Sequence, residues 1–146
     1  MLRRIGLCFI GLMAVTFILP WVAYWVGLSR ISQLPLPPSH VITAEQREWV
    51  WGLARGSGVH VTEPMTPFSY LHALFSSQGT MDRDARVVGW VASDHLTHQD
   101  AVQPMFWWHL SSASLTIWLS RNWTDQQITT AAFAALQRRG EAYDGG

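Results

Sequence analysis

Lysine is absent from this sequence. All ten fixed basic side chains are Arg, and they balance ten acidic ones to a formal net charge of zero. A chain without net charge projects no field towards a polyanion, so nucleic acid is excluded as an expected partner. Arg suits bidentate recognition of phosphate or carboxylate better than Lys does, but its uniform use along the chain reads more simply as coding bias. Cysteine is nearly absent too. The single Cys8 lies in an apolar N-terminal run, which rules out an intramolecular disulfide and a thiolate-based metal site. Only seven residues precede it, too few for the apolar region of a lipoprotein signal. Charge of either sign is scarce, at 14% of residues, and 146 residues allow one domain of ordinary size with an attached segment.

The longest uncharged run covers residues 5–29. As a helix it extends about 37 Å, enough to cross a hydrocarbon layer of ~30 Å with some tilt. Trp21, Tyr24 and Trp25 near its end fit the aromatic belt at headgroup depth. Arg3 and Arg4 before the run, against Arg30 after it, put the N-terminus in the cytoplasm and the remainder outside. A cleaved signal peptide is the competing reading, because Pro20 interrupts the run. However, the small-residue exit at Ala23 has bulky Trp21 two positions earlier, which fits a peptidase poorly. An uncleaved signal anchor is expected.

Residues 32–39, SQLPLPPS, cannot be helical, since each Pro lacks an amide donor and forces its predecessor into extended geometry. They read as a semi-rigid spacer rather than an SH3-type ligand. Beyond them the signals are helical. Thr43 with Gln46, and Thr124 with Gln127, form capping boxes. Thr66-Pro67 opens a helix with Phe68, Leu71, Leu74 and Phe75 at helical spacing. Residues 82–96 carry Asp82 and Asp84 at the start and a stripe of Ala85, Val88, Val91, Ala92 and His95. Residues 104–123 form a further helix, and Arg138, Arg139 and Gly140 suit the end of the last one. The expected fold is therefore all-α: one N-terminal transmembrane helix and a small extracytoplasmic bundle of about five helices. The boundaries are 1–4 cytoplasmic, 5–29 signal anchor, 30–42 spacer, 43–140 helical domain and 141–146 tail.

Residues 104–123 hold four of the nine Trp. Trp is enriched at binding hot spots, so part of this set is a candidate interface, against the plainer reading of core or bilayer-skimming residues. Asp94, His95, His98 and His109 are the only local group with ligand chemistry. Their i,i+3 and i,i+4 spacings carry no HExxH-type pattern, and no metal or cofactor is expected. Ser111, Ser112 and Ser114 near His109 lack a Gly-x-Ser-x-Gly elbow and fit close helix approach better than hydrolysis.

The run Ser111 to Asn122, SSASLTIWLSRN, resembles a motif of peptidoglycan glycosyltransferases, approximately Gly-Gly-Ser-Thr-Ile-Thr-Gln-Gln-Leu-x-Lys-Asn. Thr116, Leu119 and Asn122 match as identities; Ser114, Leu115 and Arg121 match in kind. Residues 91–98 are a counterpart of that family's Glu-Asp-x-x-Phe-x-x-His motif, with Ser93 in place of the catalytic Glu. The resemblance covers residues 91–122 only. It implies a lysozyme-like helical domain outside the cytoplasm and a site for glycan or a lipid-linked precursor. Asp94, Asp100 and Arg121 are then the catalytic candidates, and Trp107, Trp108, His109, Thr116, Trp118, Arg121 and Asn122 the binding candidates. Ser93 cannot accept a proton at neutral pH, and Ile117 and Trp118 replace both Gln, so binding is expected over catalysis.

Two functions follow as expectations, beside a third, broader reading as a small subunit buried within a multi-pass membrane complex. The first is a single-pass protein of a bacterial-type inner membrane whose helical domain joins another envelope protein in an assembly. The second is a degenerate glycosyltransferase-like glycan-binding protein or enzyme.

Overall fold

The computed structural model describes residues 2–55, 61–76, 82–99 and 104–143, with side chains of the first helix from Met13 onward. Among these residues the chain is all-α, with six helices and no strand: α1 Leu2–Ser29, α2 Ala44–Leu53, α3 Pro67–Ser76, α4 Arg83–Thr97, α5 Met105–Asn122 and α6 Asp125–Arg138.

Local chemistry fixes the helix ends. Thr43 and Thr124 each accept a hydrogen bond from the amide three residues on, while the Gln side chain there accepts from the cap amide. Two otherwise unpaired amides are satisfied at each start. α6 ends in a Schellman turn: Gly140, at φ +86°, donates to Gln137 O at 3.0 Å, and the Glu141 amide donates to Leu136 O at 3.1 Å. α2 ends differently. Arg55 takes the left-handed conformation at φ +39°, and the Arg86 guanidinium of α4 donates to Ala54 O at 2.8 Å. Asp82 makes no side-chain cap bond at the start of α4, so it acts there through charge alone.

α5 is the centre of the molecule. It packs against α1, α3, α4 and α6, and its middle is buried on almost every side, from Ser111 through Ser120. The core around it takes Val87 and Val88 from α4 and Ile128 and Leu136 from α6, and α2, packed on α6 and α4, adds Val50 and Trp51. Most of the Trp belong to this core: Trp51 and Trp123 are buried, and Trp49, Trp90, Trp108 and Trp118 pack half-buried against it, while Trp107 is half-buried elsewhere on α5. Only Trp21 and Trp25 are exposed, and both lie on α1.

α1 continues through Pro20 without a break. Its last turns run antiparallel along α5. Arg30 lies over the Trp107 ring at 4.3 Å, Ser111 Oγ donates to Gly27 O at 3.1 Å, and Arg121 stands 5.9 Å from the Trp21 ring. Tyr24 and Ile31 enter the core. A Cβ added at Gly27 would collide with Ser114 Oγ and meet Leu110 O at 2.7 Å, so Gly allows the two backbones to meet this closely. The outer side of α1 is apolar and open, with Val15, Phe17, Ile18, Leu19, Val22 and Trp25 exposed. Among the described residues no helix is long and apolar enough to cross a membrane. The part of α1 whose side chains are described, from Met13 to Ser29, extends about 25 Å.

α3 reverses the usual reading of an apolar stripe. Pro67, Tyr70 and Ala73 face inward, whereas Phe68, Leu71, Leu74 and Phe75, the stripe visible in the sequence, are exposed.

Candidate functional site

The largest described cavity, about 510 Å³, opens between the segment after α1 and the α4–α6 pair. Its polar wall is built from α4. Asp94 is nearly buried, and both carboxylate oxygens are held by Arg138 of α6, which donates from Nη2 at 2.6 Å and from Nε at 3.2 Å. That hydrogen bond holds the Arg138 guanidinium above its ordinary pKa, with burial opposing it and the Asp94 charge assisting. His98 bonds through Nδ1 to Asp94 O at 2.7 Å. The carbonyl of Gln33 accepts from His95 Nε2 at 2.7 Å and from the Gln99 amide at 3.1 Å, which ties the extended segment to α4. Leu34, Pro35 and Leu36 form the apolar lip, and Leu36 is 80% exposed.

This geometry limits the chemistry. A carboxylate bonded twice to a guanidinium is a poor general base, because taking a proton breaks a charge-assisted pair. His98 is mostly exposed, and its bonded partner is the Asp94 carbonyl of its own helix. Among the described residues no group of three or more His, Cys, Asp or Glu is placed to hold a metal ion. The cavity is a mixed polar and apolar recess with internally paired charges.

The residues singled out in the sequence are dispersed. Asp94 lines the cavity, while Arg121 lies on the α1 side of α5, beside Trp21. Thr116 is buried and donates to Ser112 O at 2.8 Å, and Asn122 donates to Trp118 O at 2.8 Å, so both side-chain donors serve their own helix. Trp107 lies under Arg30, Trp108 and His109 hold their rings 5.1 Å apart, and Trp118 packs against the core. Asp100 lies outside the described residues. Arg138 and Gln33 had no signal in the sequence, because their partners are 44 and 62 residues away. A second such link, Arg47 to Asp125 at 2.6 Å with the Thr62 amide on the same carboxylate at 2.9 Å, joins α2, α6 and the segment before α3.

Comparison with family models, curated proteins and solved structures gives no match. The glycosyltransferase resemblance therefore rests on the quoted residues alone.

Proposed function

We propose that this chain is a single-pass inner-membrane protein, anchored by α1 with its N-terminus in the cytoplasm, whose remaining helices form an extracytoplasmic assembly unit of a cell-envelope complex. The observation that carries the reading is the outer side of α1. Large apolar side chains from Met13 to Val26 stand open around a segment without a charged residue, and Trp21 and Trp25 lie at its end. Water is a poor neighbour for such a surface, and a bilayer edge suits both its apolar body and its aromatic end. The envelope partner is assigned to the recess beside Asp94 and Arg138, where the exposed Leu36 lip offers apolar area and the paired charges add no net repulsion.

The glycan-binding reading draws on residues 91–98, of which Val91, Asp94, His95 and His98 line the same recess. It has less support, because the carboxylate there is committed to Arg138 and Thr116 is buried away from it.

The test uses intact cells expressing the full chain with Cys8→Ser. A cysteine at Glu141 is expected to react with a membrane-impermeant maleimide before lysis, and a photo-crosslinker at Leu36 to capture one discrete envelope protein. Labelling only after lysis, or no adduct at Leu36, overturns the reading.

A further inference from the structure

The anchor does not account for the second open apolar surface, on α3. Phe68, Leu71, Leu74 and Phe75 are exposed, Phe75 by 85%, and none of the ten residues from Pro67 to Ser76 is acidic or Arg. A solvated helix face in a chain with so few charges would use those it has here. This surface is continuous with α1. The Phe17 and Phe68 rings are 5.8 Å apart, and a groove of about 120 Å³ between α1, α3 and α5 is walled by Pro20, Ala23, Leu71, Leu74, Leu110 and Ile117, nearly all of it apolar.

The contacts also set a depth. α3 begins beside Phe17 and Pro20, about one turn of α1 on the membrane side of Trp21, and its body runs beside Tyr24. With Trp21 and Trp25 at headgroup level, α3 falls at the boundary between headgroups and acyl chains. Arg121, exposed and 5.9 Å from the Trp21 ring, places a cation at that same level, where anionic headgroups complement it. Ten helical residues span only ~15 Å, so α3 lies in the boundary and does not cross it.

Resting on the anchor reading above, we infer that α3 is a second membrane contact, an interfacial helix whose Phe68, Leu71, Leu74 and Phe75 face enters the acyl layer beside α1. The occupant of the groove is lipid acyl chain. α1 then fixes the protein in the bilayer, and α3 fixes the rotation and tilt at which the α4–α6 recess is presented.

Four single-cysteine variants of the full chain, each with Cys8→Ser, provide the test: Ile18→Cys on α1, Leu71→Cys and Phe75→Cys on α3, and Gln126→Cys on the exposed side of α6. Each carries an environment-sensitive fluorophore and is reconstituted in phosphatidylcholine–phosphatidylglycerol vesicles with or without an acyl-chain nitroxide lipid. All four positions are exposed, so the core is undisturbed, and circular dichroism confirms the helix content. The inference expects roughly twofold or greater quenching at residues 71 and 75 and little at 126. Quenching at 18 but not at 71 or 75 overturns the α3 inference and leaves the anchor standing. Quenching at 71 and 75 without quenching at 18 supports α3 and overturns the anchor. A blue shift at 75 without nitroxide quenching, accompanied by cysteine crosslinks between copies, assigns the face to a second copy and overturns the inference.

Discussion

Two contacts show how much depends on partners that have no local signature. Gly27 permits the approach of α1 to α5, and the atoms a methyl group would meet include a backbone carbonyl that cannot rotate away. Gly27→Ala gains about 0.5–1 kcal/mol in helix propensity, but overpacking of this kind costs ~1–3 kcal/mol. The variant is expected to melt lower, and the loss should persist in a Ser114→Ala background because Leu110 O remains 2.7 Å away. A thermal melt of both variants by circular dichroism checks this. Asp94 and Arg138 form the second case. The guanidinium is half exposed, so solvent screens the pair, and a double-mutant cycle of Asp94→Ala with Arg138→Ala is expected to give a coupling of about 1 kcal/mol. A coupling near zero in denaturant melts would mean the pair is not formed in solution.

At the scale of elements, helix starts were the most legible part of the sequence. Thr43 and Thr124 carry capping boxes written within four residues, and Pro67 opens α3, because short-range hydrogen bonding and proline geometry do not depend on the rest of the fold. The direction in which α3 faces was not legible. Its Phe68, Leu71, Leu74 and Phe75 stripe has the period of a buried face, and periodicity cannot tell protein interior from lipid. Ser111 and Ser114 were legible as residues for close helix approach, but their partner α1 was hidden, since the contact joins segments more than eighty residues apart. A fragment of residues 40–146 is therefore expected to melt lower and to self-associate more in sedimentation than the full chain in detergent. It lacks Gly27, Tyr24 and Ile31 against α5, and leaves the α5 side around Leu110 and Ser114 uncovered. A monodisperse fragment with the stability of the full chain would show that α1 contributes little to the core. Thr124→Ala, by contrast, is expected to cost about 1 kcal/mol in a denaturant melt through the lost cap alone.

For the whole molecule, capping signals and helical spacings were enough to give the all-α class. The plainer reading of the Trp as core residues holds for six of the nine, two buried and four packed half-buried against the core. The candidate site was only partly legible. Asp94, His95 and His98 are adjacent in sequence and do share a recess, but the Arg that neutralises Asp94 arrives from the final helix. The mixed recess beside Asp94 and the almost wholly apolar α1–α3 groove differ in their linings.

The central claim is that the open apolar side of α1 lies in lipid. Alkaline carbonate washing of membranes from cells expressing the full chain tests it most directly, alongside a variant with Val15→Asp and Ile18→Asp. Both positions are 58% exposed and outside the core, and each Asp opposes insertion by about 2.5–3.5 kcal/mol at the middle of a bilayer. The account predicts that the parent chain stays with the membrane pellet and that the variant shifts into the wash. A parent chain released folded into the wash, or a variant retained as firmly as the parent, would contradict it.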